Sequence, residues 1–192
     1  TVYAKVGHSQ TVATALALTP KAGTMITMAR FGTSWTMGTV TGSLEATDVT
    51  RLTTRAPAAL PQGVAAAIFT ITGLVRVLDI VGYVTTAIGA VANATKLQMN
   101  STGAGATTDL CATVEMNAAA VDTRAEITGT FANAMLLTID IPKARTMVVA
   151  TELDLVPGTI DLNCAGSDGG TGRMRWSVTY RPREAGARIV SA

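Results

Sequence analysis

The strictest pattern in the sequence is an alternation of apolar and polar side chains near the C-terminus. Met174, Trp176, Val178 and Tyr180 occupy every second position. The positions between and beside them hold Arg173, Arg175, Ser177, Thr179 and Arg181. Because successive side chains of a strand point to opposite faces, this pattern predicts a strand with one buried and one solvated face. Such a strand must pair within a sheet, so β structure is the first expectation.

Further segments are rich in Val, Ile, Thr and Tyr, which suit a pleated surface. The clearest is GTIDLNC at residues 158–164, and weaker ones cover 67–73, 74–87, 95–100, 109–117, 126–131, 146–151 and 188–191. Helix signals are weak, since Thr and Gly are poor residues for a helix interior. Short strands at intervals of about ten residues predict a mainly β fold, an antiparallel β-sandwich or barrel of roughly seven to nine strands.

Glycines mark where these strands are expected to turn. Gly73 and Gly82 are predicted to lie at bends or bulges. The segment AGSDGGTG at residues 165–172 is predicted to be a hairpin loop that returns the chain as an antiparallel neighbour.

The segment RAPAALPQG at residues 55–63 suggests a domain boundary, because its two prolines restrict the backbone and favour a linker. Residues 1–62 are therefore predicted to form a Thr/Met-rich extended N-terminal arm or a small β subdomain, followed by the linker. Residues 63–192 are predicted to form the sandwich or barrel domain. As an arm, the N-terminal segment could add a strand to the sheet edge of a neighbouring subunit.

The composition excludes several classes of protein. Charged residues make up 15% of the 192 positions, while the chain holds 32 threonines, 32 alanines and 18 glycines. Disordered chains, coiled coils and polybasic nucleic-acid binders all need more charge. The formal net charge of +2 implies no polyanionic partner. The longest apolar run covers only residues 64–69 and the N-terminus lacks a signal-peptide pattern, so we expect a soluble, unexported protein without a membrane partner.

Residues for catalysis or metal binding are scarce. His8 is the single histidine and lies in a polar stretch, whereas acid–base and nucleophilic enzymes usually need a histidine or paired carboxylates. Cys111 and Cys164 form no metal-binding motif and are expected to be small buried side chains, with a disulfide between them left open. We therefore expect no enzymatic activity, no cofactor, no metal and no small-molecule substrate.

Two segments resemble structural proteins of tailed bacteriophages. They cover residues 69–100, with VGxVTTxI at 81–88, and residues 158–192, which begin GTIDL and continue with TGxxRWxxxYxPxxxGAxxV at 171–190. The resemblance extends over roughly the C-terminal two thirds of the chain.

The resemblance implies a virion component, and we extend it to a head decoration (cement) protein. Such a protein would bind the major capsid protein on the capsid exterior as a homotrimer, after assembly in the bacterial cytoplasm and without direct contact with nucleic acid. Permanent interfaces are poor in charge, which agrees with this composition. The candidate contact residues are Arg51, Arg55, Arg181 and Arg183. The alternatives are a tail or collar component and, less favoured, a host-surface adhesin module.

Overall fold

The structure is a computed structural model that describes residues 2–5, 13–16, 25–31, 34–41, 49–103, 105, 107–138, 152–166 and 170–192, with side chains from residue 49 onward. The chain divides into two compact units, Thr1–Ala46 and Thr47–Ala192. No helix occurs within the described ranges, and accordingly none of their elements is a helix long and apolar enough to cross a membrane.

The first unit contains two antiparallel strand pairs. Strands β1 (Val2–Lys5) and β2 (Ala13–Leu16) form one, and β3 (Met25–Phe31) and β4 (Ser34–Thr41) form the other. His8 lies outside the described residues.

The second unit consists of two sheets. Sheet 1 has the order β12-β11-β7-β15-β5, with β13 also paired to β7, and sheet 2 has the order β10-β8-β14-β6-β16, with β9 also paired to β8. The longer strands are β5 (Arg51–Ala59), β6 (Ala65–Thr72), β7 (Val75–Thr86), β8 (Ala94–Ser101), β14 (Gly158–Cys164), β15 (Arg173–Pro182) and β16 (Arg188–Ser191). The shorter ones are β9 (Thr108–Asp109), β10 (Val114–Glu115), β11 (Arg124–Glu126), β12 (Leu136–Thr138) and β13 (Leu153–Leu155).

The two sheets pack face to face, which confirms the predicted antiparallel β-sandwich. Seven strands of the second unit have four or more residues within its described part, and five are shorter. Six of the longer strands agree with predicted segments, because they carry enough residues to show a period of two. The seventh, β5, lies in the segment predicted as arm and linker, and of the predicted strand 126–131 only Glu126 belongs to a strand. The segment 146–151, also predicted as a strand, lies outside the described residues.

The alternation in β15 explains the core. Met174, Trp176, Val178 and Tyr180 are buried, whereas Arg173 and Arg175 are exposed. The buried side chains of sheet 2, which include Phe69, Leu97 and Ile160, pack in the same core cluster. Burial of these groups is the main stabilising contribution expected for such a module.

Consecutive strands change sheets at most connections. The chain passes from β5 in sheet 1 to β6 in sheet 2, returns to β7, and crosses again to β8. The glycine-rich segment after β14 is therefore not the predicted hairpin loop, since β14 pairs with β6 and β8 while β15 pairs with β5 and β7. Glycine lets the chain reverse, but it does not determine whether the next strand lies beside the previous one or across the sandwich.

Strand β5 belongs to the sandwich. The prolines place the predicted boundary at residue 62, whereas the second compact unit begins at Thr47 and residues 51–59 pair with β15. The pairing shifts register between Trp176 and Met174, and Pro57 lies in that irregular stretch of an edge strand. Proline is tolerated there because the position needs no ladder hydrogen bond.

The prediction of a bend or bulge is correct for Gly73 and wrong for Gly82. Gly73 has a φ of 71° in the turn between β6 and β7, so it is a bend. Gly82 lies within β7, where an added Cβ would be 2.8 Å from Trp176 ring atoms. Gly82 therefore provides space for the Trp176 ring, since β7 continues through it without interruption.

Candidate interaction surfaces

The four arginines predicted from the sequence divide between the faces of sheet 1. Arg51 and Arg55 lie on β5 opposite the buried Tyr180 and Trp176, and so they share the face that points toward sheet 2. Arg181 lies on the opposite face of β15, where its Nε donates to Thr50 Oγ1 at 3.1 Å.

Arg183 follows the end of β15. Its Nε lies 4.0 Å from Asp154 Oδ1, and its backbone N–H donates to the Leu74 carbonyl. The structure thus brings three of these arginines, Arg51, Arg181 and Arg183, to one end of sheet 1, because Arg51 pairs with Tyr180. Arg55 lies further along β5.

A row of aromatic and cationic side chains crosses the outer face of sheet 1. Arg124, Tyr83 and Arg175 are register partners on β11, β7 and β15. The guanidinium carbons of Arg175 and Arg124 lie 5.4 and 5.8 Å from the Tyr83 ring centroid. Both distances are within the range of a cation–π interaction. The ring is therefore held between two cations.

The sequence alternation alone does not reveal this row. Within β15 the arginines and the aromatic residues Trp176 and Tyr180 do lie on opposite faces, as predicted. The aromatic ring on the arginine face comes from Tyr83 of the neighbouring strand, and its place is set by the β7–β15 register. The sequence does place Tyr83 in the predicted strand 74–87. Its cross-strand partners follow only from the order and register of the strands in the sheet.

Arg124 also forms a buried ion pair. Its Nη2 donates to Glu126 Oε1 at 3.1 Å, and the Glu126 side chain is 1% exposed. The Arg124 Nε is buried and has no hydrogen-bond partner among the described residues. Such a pair is costly to break, since removal of one partner leaves a buried charge uncompensated.

A second ionic cluster attaches β13 to β7. Arg76 donates from Nε to Asp154 Oδ1 at 2.8 Å and from Nη1 to Glu152 Oε2 at 2.7 Å. These hydrogen bonds raise the pKa of the Arg76 guanidinium, and the bond from Arg76 lowers the pKa of Asp154 below its ordinary value. Because these groups are partly exposed, the cluster orients β13 more than it stabilises the fold.

The outer face of sheet 2 carries a chain of polar side chains. Asn163 Nδ2 donates to Gln98 Oε1 at 2.8 Å, and Gln98 Nε2 donates to Asp109 Oδ1 at 2.7 Å. Lys96 Nζ donates to the other Asp109 oxygen at 2.8 Å. The hydrogen bonds from Lys96 and Gln98 lower the pKa of Asp109. This ladder ties together β14, β8 and β9.

An open apolar groove lies at one end of the sandwich. Its volume is about 520 Å³, and Phe131 and Val156 on its wall are 49% and 47% exposed. Its other lining residues are Met99, Ser101, Gly105, Thr108, Leu110, Asp154 and Leu155. Half-exposed large apolar side chains grouped in this way are typical of interaction sites.

A smaller cavity of about 90 Å³ lies between the sheets beside β5. Arg55 is the charged residue of its lining. The remaining lining residues are Ala58, Ala59, Leu60, Pro61, Ala66, Ile68, Leu162 and Trp176.

The two cysteines are buried thiols. Leu97 N donates to Cys111 Sγ at 3.3 Å, and burial raises the pKa of Cys111. No disulfide joins Cys111 to Cys164. Across the described ranges, no group of three or more His, Cys, Asp or Glu side chains is arranged to hold a metal ion.

Comparison with known protein families, curated proteins and solved structures finds no match to this chain.

Proposed function

We propose that this chain is a structural protein of a tailed-phage virion, a head decoration (cement) protein that binds and stabilises the lattice of the major capsid protein. The observation that carries the proposal is the open groove that contains the half-exposed Phe131 and Val156. In a chain with few charges, an apolar groove of this size favours a permanent neighbour, because permanent interfaces bury more apolar surface than transient ones.

The positions of the phage-like segments support the same proposal. Residues 69–100 and 158–192 supply β7, β8, β14 and β15, which lie at the centres of the two sheets. The motif residues Trp176, Tyr180 and Gly82 are packing residues of the sandwich. The phage-like motifs therefore describe how the sandwich packs. The surface residues outside these motifs would determine which partner binds.

The outer faces also suit a structural role. Cross-strand contacts such as Tyr83–Arg175 and Asn163–Gln98–Asp109 hold side chains on the outer faces of both sheets against one another. Side chains held in this way lose little conformational entropy when a neighbour covers them. A homotrimer on the capsid exterior would place many such faces against the lattice.

The test is to locate and count the protein in purified particles of the phage that encodes it. Immunogold labelling should mark the shell, and quantitative mass spectrometry should give a copy number on the order of that of the major capsid protein, as expected for a lattice-covering subunit. Light scattering of the purified protein should give a trimer mass. Labelling confined to the tail, with few copies, would instead identify a tail or collar component. Absence from the particle would overturn the virion assignment and favour the adhesin alternative.

A further inference from the structure

Two exposed arginines share the outer face of sheet 1. Arg173 and Arg175 lie on β15 with the buried Met174 between them, so both side chains point away from sheet 2. Residues two positions apart in a strand are separated by about 7 Å. The register partners of Arg173 on β5 and β7 are Ala59 and Thr86, which are too short to cover it. The outer face therefore presents two guanidinium groups at the repeat distance of a strand.

The positive charge of these arginines is not compensated within the described structure. Neither Arg173 nor Arg175 forms an ion pair with a described residue. On the same face, the carboxylate of Glu126 accepts a hydrogen bond from Arg124 at 3.1 Å, so the charges of that pair cancel. A negatively charged partner would therefore complement this part of the face.

The Arg175 guanidinium has a defined place on this face. Its central carbon lies 5.4 Å from the ring centroid of Tyr83, which is also its register partner on β7. Stacking against a ring leaves the N–H groups at the edge of a guanidinium free to bind a carboxylate through two parallel hydrogen bonds. Because the ring restricts the arginine before a ligand arrives, less conformational entropy is lost on binding. Tyr83 is thus a positioning residue for Arg175.

The geometry favours carboxylates over a nucleic acid. Surfaces that bind single-stranded nucleic acid present aromatic rings on which bases stack. The Tyr83 ring already has Arg124 on its β11 side and Arg175 on its β15 side. An extended peptide, in contrast, directs alternate side chains to one side at the same spacing of about 7 Å. Carboxylates at alternate positions of such a peptide would meet Arg173 and Arg175 together.

We propose that the outer face of sheet 1 binds an extended acidic segment of a protein partner, whose carboxylates at positions i and i+2 pair with Arg173 and Arg175. Arg175, held against Tyr83, makes the bidentate contact, and Arg173 makes the second contact two residues along β15. The inference rests on the proposed function only in taking the partner to be a protein. It assigns partner recognition to a face separate from the apolar groove, which other residues line.

The probe is the capped peptide Thr-Glu-Thr-Glu-Thr, titrated at low salt and followed by NMR at the backbone N–H groups of β15. Two further peptides are the controls. Thr-Gln-Thr-Gln-Thr lacks the charges, and Thr-Thr-Glu-Glu-Thr carries them at adjacent positions, which an extended chain points to opposite sides. We expect saturable binding of the first peptide, and binding of both controls that is weaker by about tenfold or more.

Variants of the protein test the named residues. Arg175→Gln should weaken binding of the first peptide by about tenfold, and Arg173→Gln should also weaken it. Arg188→Gln is the matched control, since it removes an exposed arginine from β16 of sheet 2 and should leave binding unchanged. Tyr83→Leu keeps every charge but removes the ring, so binding should weaken by about threefold, whereas Tyr83→Phe should bind like the wild type.

Equal binding of the two acidic peptides, or no saturable binding of either, overturns the inference. Binding that Arg175→Gln leaves unchanged overturns it as well. A single-stranded oligonucleotide that binds β15 more tightly than the acidic peptide would overturn the acidic partner and identify a nucleic-acid surface. Absence of peptide binding in a protein that labels the shell overturns this inference alone. Peptide binding by a protein absent from particles overturns only the virion assignment.

Discussion

At the scale of single residues, the close approach of Gly82 to Trp176 leaves no room for a side chain at position 82. An added Cβ would lie 2.8 Å from Trp176 Cζ3 and Cη2 and from Met174 Cε. All three side-chain atoms belong to fully buried residues, so they have little room to shift. The sequence shows a glycine inside a strand-forming segment, but the reason for it lies on a strand more than ninety positions away.

We expect Gly82→Ala to lower the free energy of unfolding by about 1–3 kcal/mol, the usual cost of overpacking a core. Urea unfolding followed by circular dichroism measures this. Gly103→Ala is the matched control, since a Cβ there meets nothing within 4 Å. In a Trp176→Phe background the penalty should shrink, because the clashing ring atoms are gone. An equal cost for both glycines would show that the Trp176 ring is not the reason for Gly82.

At the scale of elements, the short strands depend on side-chain contacts as well as on their few backbone bonds. Strand β9 has two residues, and its Asp109 accepts hydrogen bonds from Lys96 and Gln98 of β8. The pattern of residues 109–117 predicts one strand, whereas the structure has two short strands, β9 and β10. A two-residue strand is too short to show a period of two. In this region Leu110 and Cys111 are both buried although they are adjacent.

The Asp109 contacts predict a dependence of stability on pH. Since the folded state lowers the pKa of Asp109 below its ordinary value of 3.8, the contribution is present above about pH 4 and is lost as the pH falls below it. Asp109→Asn should therefore weaken the decline of the urea midpoint between pH 5 and pH 3. For a partly exposed pair the effect should be about 0.2–1 kcal/mol and smaller in high salt.

Asp122→Asn serves as the comparison for that measurement, because Asp122 is exposed and forms no ion pair with a described residue. The Asp109 interpretation is contradicted if both variants keep the wild-type slope. A reduced slope only for Asp109→Asn supports the contact between β8 and β9.

At the scale of the whole molecule, the sandwich begins earlier than the prolines indicate. Strand β5 supplies Thr53, whose Oγ1 donates to the Ile189 carbonyl at 2.8 Å and so connects the edges of the two sheets. A proline in an edge strand cannot be told from a proline in a linker by sequence, because in both cases the residues around it show no regular alternation of apolar and polar side chains.

Two truncations test this boundary. Removal of residues 1–46 should leave the second unit folded, with cooperative unfolding and dispersed NMR signals, since it retains both sheets. Removal of residues 1–62 also deletes β5, which uncovers the edge of β15 and one wall of the Arg55 cavity. We expect that shorter chain to aggregate or to unfold without cooperativity. Identical behaviour of the two truncated chains would contradict the place of β5 in the sandwich.

The amino-acid pattern predicted six of the seven long strands of the sandwich and the buried side of β15, because a period of two is a local property. It also predicted the class of fold, since segments of this kind have few ways to bury their apolar faces. The tertiary structure alone decided the strand order, the place of β5, the Arg124–Tyr83–Arg175 row and the cavity at Arg55. These features join strands distant in the chain, and their partners depend on register and sheet order, which local patterns do not encode.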